Sequence, residues 1–177
     1  MTQEPSLNVT LCGVELPNPL ALASGILGTD ADLLARVAGA GAGAVTAKSC
    51  SLEPRAGHPN PTVLAWGPGL INAVGLANPG IEVEIVALRR AKELLRPHGS
   101  ALVASIFGDT VESYARVADR VIEAAPDLVE VNISCPNVHD EFGIFFAADA
   151  CAAAEVTAAV KQAVAGRAPV LVKLSPN

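Results

Sequence analysis

Asn132-Ile133-Ser134-Cys135-Pro136-Asn137 sets a thiol between two carboxamides within six residues. The run follows Leu128-Val129-Glu130-Val131, which reads as a buried parallel strand. Pro136 lacks a backbone donor and biases Cys135 toward an extended conformation. A thiol held just past a strand end, beside neutral hydrogen-bonding groups, is suited to moving a proton. Most free cysteines are only small buried hydrophobes, so the neighbours of Cys135 decide the matter. Lys48 and Lys173 each end an apolar stretch. Either alone reads as a lysine whose stem is buried and whose head reaches water. Two of them at one mouth of an acidic protein point to an anionic ligand and to stabilisation of charge that develops on a ring. Asn72, within Asn72-Ala73-Val74-Gly75-Leu76, sits among small residues whose backbone amides suit a flat polar ring. Turn chemistry is the plainer account of that segment.

These groups need a scaffold that gathers strand ends. Leu7–Leu11 and Val14–Leu16 read as a short hairpin. An alternation follows: strand 20–23, helix 30–39 capped by Thr29 with Asp32 in support, and strand 43–47. A long loop over 50–79, rich in Pro, Gly and Asn, reads as functional. Helix 80–96 stops at Pro97, and strand 101–106 follows. Helix 110–125 is capped by Asp109 with Glu112, then come strand 128–133, helix 149–165 and strand 170–174. Repeated strand–helix units with nearly continuous apolar strands specify an α/β fold with a parallel sheet. Ser24, Lys48, Ser105, Asn132 and Lys173 fall at the C-terminal ends of successive strands, where such folds build their sites. The charged face Glu82, Glu84, Arg89, Arg90, Lys92 and Glu93 reads as solvated.

Composition narrows the function. Of 177 residues, 51% are apolar and 17% charged, which excludes a disordered chain. The formal net charge is −6 with no basic stripe, which argues against a nucleic-acid partner. No uncharged apolar run reaches membrane-spanning length. The start, Met1-Thr2-Gln3-Glu4-Pro5, lacks a signal-peptide core. Cys12, Cys50, Cys135 and Cys151 form no C-x-x-C pair, and no metal site or iron–sulfur cluster is expected. Together these point to the reducing cytoplasm. His58, His98 and His139 lack metal-ligand spacing and read as loop or surface residues.

Ala23-Ser24-Gly25, Lys48-Ser49, Asn72-Ala73-Val74-Gly75-Leu76, Asn132-Ile133-Ser134-Cys135-Pro136-Asn137 and Lys173-Leu174-Ser175-Pro176-Asn177 resemble class 1 dihydroorotate dehydrogenases. Asn-Ala-Val-Gly-Leu followed by Asn-Pro-Gly is similar to the NAD-linked type 1B catalytic subunit. The resemblance implies a (β/α)8 TIM barrel with FMN across its C-terminal mouth. This chain then supplies the N-terminal hairpin (1–19) and about the first five strands (20–177), as the N-terminal portion of a longer enzyme. It implies that Ser24, Lys48, Ser49, Ser105, Asn132 and Lys173 contact FMN. Ser105 stands where many relatives have Asn. The pyrimidine would be held by Lys48, Asn72, Ala73, Val74, Gly75, Leu76, Asn132 and Asn137. Cys135 would take the C5 proton of dihydroorotate while the C6 hydride passes to the flavin, and Lys173 would favour the reduced, anionic flavin. The implied assembly is a homodimer joined to an electron-transfer subunit carrying FAD and [2Fe–2S], a heterotetramer. Dihydropyrimidine dehydrogenase-like reductases and tRNA dihydrouridine synthases also pair flavin with a cysteine. A non-catalytic truncated half-barrel is the reading from outside enzymology.

Overall fold

The computed structural model describes residues 6–135 and 146–175. Among these, a two-stranded antiparallel hairpin comes first: β1 (Val9–Leu11) and β2 (Val14–Leu16), turned by Cys12 and Gly13 in left-handed conformations. The main sheet is parallel and five-stranded. Its members in spatial order are β3 (Ala21–Leu22), β4 (Ala44–Thr46), β7 (Ala101–Ile106), β8 (Leu128–Asn132) and β9 (Val170–Lys173). Four helices cover its outside: α1 (Ala31–Gly39), α2 (Ile81–Leu95), α3 (Val111–Val121) and α4 (Ala150–Val164).

The period-2 alternation of the strands explains the layers. Leu102, Ala104 and Ile106 of β7 face the helices and join one large buried cluster with Leu34, Leu88, Val117 and Val160. Their neighbours Ala101 and Val103 face the other way, into a second cluster with Ala44, Leu128 and Leu16. Leu16 comes from the N-terminal hairpin, so that hairpin covers the lower end of the sheet's concave face. Along this face the chemistry changes with height. The lower positions are Ala44, Ala101, Val103 and Leu128. The same strands' upper positions are Thr46, Ser105, Glu130 and Asn132.

The sheet is curled. β3 and β9 are its outer strands, four spacings apart, which on a flat sheet is roughly 19 Å. Yet Lys173 Nζ, at the end of β9, donates to Ser24 Oγ, just past β3, at 2.5 Å. A lysine side chain spans about a third of that flat distance, so the edges must bend toward each other. Five strands so arranged form an arc of a (β/α)8 wall. This is the expected fold class.

Several local features differ from the sequence reading. α1 is capped one residue later, by Asp30, whose carboxylate accepts from Leu33 N at 2.9 Å. α3 is capped by Thr110, paired reciprocally with Ser113 rather than through Asp109 and Glu112. The reason lies at Gly108, where a Cβ would sit 2.3 Å from Ser113 Oγ. The Ser113 side chain occupies that corner, where it accepts from Asp109 N and Thr110 N as the reciprocal half of the Thr110 cap. Within the stretch read as a loop, β5 (Val63–Trp66) and β6 (Gly69–Asn72) form a second antiparallel hairpin. Glu84 is not on the solvated face of α2: it is only 5% exposed. Other members of that face do reach solvent and pair there, as in Arg90–Asp32 and Arg120–Glu82. Exposed pairs of this kind contribute little stability. No helix among the described residues is long and apolar enough to cross a membrane.

Candidate active site

β8 delivers Asn132 to the sheet's upper rim, and the next residues carry Ser134 and Cys135. The strand end is fixed from behind. Tyr114 of α3 donates its hydroxyl to the Asn132 carbonyl at 2.8 Å. Its ring meets Phe146 edge-on, with centroids 5.5 Å apart and planes at 82°. Burial pushes the Tyr114 phenol well above its ordinary value, so it stays a donor. Tyr114→Phe leaves a buried carbonyl without its partner, and unmet buried polar groups cost about 1–3 kcal/mol. We expect thermal unfolding to show a loss of about 1–2 kcal/mol. An unchanged melting curve would mean that Tyr114 does not hold the strand end.

Beyond β4, backbone bonds continue the ladder to β7: Ala47 N reaches Val103 O and Cys50 N reaches Ser105 O, each at 3.0 Å. This extension sets Ser49 against Ser105, with their Oγ atoms 2.8 Å apart. Asn132 Nδ2 donates to the same Ser49 Oγ at 3.0 Å. On the other side, Asn132 Oδ1 accepts from Ser134 N at 3.3 Å and Ser134 Oγ at 3.0 Å.

The segment after β6 is tied to residues 51–62. His58 N donates to Val74 O at 3.1 Å, and the His58 ring Nδ1 lies 3.0 Å from Ala73 O. Arg55 Nε donates to Gly75 O at 2.7 Å. Asn78 Oδ1 accepts from Gly80 N at 2.9 Å, which settles the start of α2. Gly75 has φ +72°, and a Cβ there would meet His58 at 2.8 Å. Only glycine suits that approach.

A cavity of about 590 Å³ opens among these elements. Of the residues expected in the site, Ser24, Lys48, Ser49, Asn72, Val74, Gly75, Leu76, Asn132, Cys135 and Lys173 all line it. Ser105 lies one layer deeper, 1% exposed, and touches the lining residue Ser49. Ala73 is not a lining residue; its carbonyl faces the His58 ring. Asn137, Pro136 and His139 lie outside the described residues.

The electrostatics place the charged groups close together. Lys48 is held below the ordinary lysine value, first by burial and also by the Lys173 ammonium, while Cys135 acts in the opposite direction. Of the four free cysteines, Cys135 alone lines the cavity. Cys50 is wholly buried, and burial followed by the nearby Glu84 carboxyl keeps it a thiol.

Two contributions escaped the sequence reading. Val63 and Leu70 of the second hairpin also line the cavity. Their register pairs Val63 with Asn72 and Ala65 with Leu70, so one face of the hairpin looks inward while Leu64, Trp66 and Ile71 occupy the other. The 63–72 run has the β-branched and aromatic content of a hairpin around Gly67–Gly69, which was the available signal. Glu130 was absorbed into an apolar strand; a single charge inside such a strand was its signal. Among the described residues, no group of three or more His, Cys, Asp and Glu is arranged to hold a metal ion.

The donor set is that of a site for a flat, polar, anionic aromatic ligand. Two ammonium groups, three hydroxyls, two carboxamides and apolar Val63, Leu70 and Leu76 surround one space. It fits FMN's ring system: cations and amides for its pyrimidine edge, aliphatic side chains for its hydrocarbon edge.

The family model described as Dihydroorotate dehydrogenase matches residues 6–177. Among curated relatives is the catalytic subunit of dihydroorotate dehydrogenase B (NAD(+)) from Methanosarcina mazei. It is 43% identical over 172 residues, spanning 97% of this chain and 53% of the relative. The protein of the same name from Methanocaldococcus jannaschii is 39% identical over 174 residues, 98% of this chain and 56% of the relative. That from Geobacter sulfurreducens is 39% identical over 177 residues, 99% of this chain and 56% of the relative. The chain thus spans about half the length of the curated relatives it matches. Since the family model takes in nearly every residue, the chain belongs to the dihydroorotate dehydrogenase family.

Proposed function

We propose that this chain is the flavin-facing portion of an enzyme that oxidises (S)-dihydroorotate to orotate in pyrimidine biosynthesis. The observation that carries the reading is the convergence of Cys135, Lys48, Lys173, Asn72 and Asn132 on one cavity of about 590 Å³. Residues 20–177 provide the FMN and substrate surfaces, and residues 1–19 are a separate N-terminal segment, whose Leu16 packs at the lower end of the sheet.

FMN, when bound, supplies the acceptor for the hydride that leaves substrate C6. The chain's own groups do the remainder. Cys135 removes the C5 proton. Lys48, Asn72, Val74, Gly75 and Leu76, with Asn132 and Asn137, bind the carboxylate-bearing pyrimidine and exclude water from it. Ser24, Ser49 and Asn132 orient the flavin ring, with Ser105 acting through Ser49. Lys173 holds a positive charge where negative charge accumulates on reduction.

The relatives are named catalytic subunits of an NAD(+) enzyme. For this protein we infer a homodimer in the cytoplasm, coupled to an electron-transfer subunit carrying FAD and [2Fe–2S], with NAD as acceptor. The test is made on the purified full-length protein. A yellow FMN spectrum that bleaches on anaerobic addition of dihydroorotate, and is perturbed by orotate but not by uracil, is the expected result. Perturbation by uracil alone would assign the site to a pyrimidine reductase. Absence of flavin after reconstitution would leave only a non-catalytic barrel segment.

A further inference from the structure

We propose that Glu130 is the positioning residue of this site, a buried counter-ion that anchors Lys173 and sets the direction of the hydrogen-bond chain ending at the Asn132 amide. The inference rests on the flavin-binding reading above for its first test and is independent of it for its second.

Glu130 stands on β8 with its side chain 14% exposed. A single oxygen, Oε1, accepts from Lys173 Nζ at 3.1 Å and from Ser105 Oγ at 2.7 Å. Lys173 is therefore gripped by two strands' worth of acceptors, Glu130 on one side and Ser24 on the other at 2.5 Å. An ammonium has three N–H groups, so one remains for the cavity.

An ionised carboxylate accepts hydrogen bonds and donates none. Ser105 must therefore commit its only proton to Glu130. Its Oγ can then only accept from Ser49, 2.8 Å away. Ser49 has in turn used its proton, so its Oγ accepts from Asn132 Nδ2 at 3.0 Å. The carboxylate thus dictates which end of the Asn132 amide faces Ser49. The far end agrees independently: Ser134 N, a donor only, meets Asn132 Oδ1. Four side chains, Lys173, Ser105, Ser49 and Asn132, are ordered from one charge.

The same charge sets the field at the cavity. Lys48 and Lys173 would present two positive charges; Glu130 reduces their sum to one. Reduction of a flavin adds negative charge, so an unopposed Lys173 would make it easier to reduce. Glu130 therefore holds the flavin potential down while keeping the ammonium in place.

Glu130→Gln separates charge from geometry, because its Oε1 can accept the same two hydrogen bonds. In the full-length holoenzyme, the midpoint potential of bound FMN should rise in E130Q by about tenfold in the reduced-to-oxidised ratio, about 30 mV for a two-electron couple. In a Lys173→Met background the same substitution should shift it far less. An unmoved potential in E130Q overturns the proposal, as does an equal shift with and without Lys173. Failure to bind FMN would sink the functional reading alone, and the second test then decides. In the flavin-free protein E130Q should lower the melting temperature when Lys173 is present and raise it when Lys173 is Met, since the unpaired buried carboxylate is then removed. Additive melting shifts would overturn the pairing.

Discussion

Cys135→Ser should slow flavin reduction by dihydroorotate by about 10²- to 10⁴-fold, the range that a positioned general base contributes. The substitution preserves shape. Serine has the same number of heavy atoms and remains a hydrogen-bonding group on the cavity wall. What changes is the ease of losing the proton, because a hydroxyl ionises far less readily than a thiol. Orotate binding should change little, since Lys48, Asn72 and Asn132 are untouched. The structure also supplies the control. Cys50 is wholly buried and kept neutral by desolvation, and Cys12 and Cys151 are exposed and do not line the cavity. Cys151→Ser should therefore leave the half-reaction as it is. Anaerobic stopped-flow bleaching of the flavin measures all of this in one experiment. If the Cys135→Ser enzyme bleached at the wild-type rate, the base would have to be sought elsewhere on the cavity wall.

The parts of this architecture that obey a simple period were legible before any coordinates. β7 and β8 were read from short, nearly continuous apolar runs, and in the structure every second side chain meets a helix while every other meets the concave face. The strand-end rule placed Ser24, Lys48, Asn132 and Lys173 at one rim although up to 149 residues separate them. Failures came where two local solutions compete. Thr29 and Asp30 are both good caps, as are Asp109 and Thr110, and the backbone path selected the second of each pair. The Val63–Asn72 hairpin was hidden because its strands are four residues long and flanked by Pro and Gly, so loop composition outweighed its short alternation. Glu130 and Glu84 were misjudged. Glu84 was read on a solvated face and Glu130 was passed over inside an apolar run; only three-dimensional proximity shows Glu84 near Lys48 and Glu130 against Lys173.

Glu84 leads to the other large effect, on stability rather than rate. It sits in the first turn of α2, where a helix favours negative charge. Burial outweighs that preference and raises its pKa from 4.5 to about 7, with the Lys48 ammonium opposing the rise. The folded state therefore prefers the protonated acid. Below pH 4.5 both folded and unfolded chains carry the proton, and this contribution to stability is complete. Between 4.5 and 7 the unfolded chain releases its proton while the folded chain keeps it, so stability falls as pH rises. The slope is about 1.4 kcal/mol per pH unit. Above 7 both states are ionised and the loss levels off at on the order of 3 kcal/mol. Glu84→Gln, which mimics the neutral acid, should abolish this slope and make the protein more stable than wild type at pH 8, with little difference at pH 4.5. Chemical denaturation across that range would show it; a glutamine variant with the wild-type pH profile would mean that Glu84 is already ionised in the folded protein. The consequence reaches the site. As pH passes 7, an ionised Glu84 begins to offset Lys48, the cation expected to meet the substrate carboxylate. Orotate affinity in the wild type should weaken as pH rises through about 7, where the folded protein releases this proton, and in Glu84→Gln it should not.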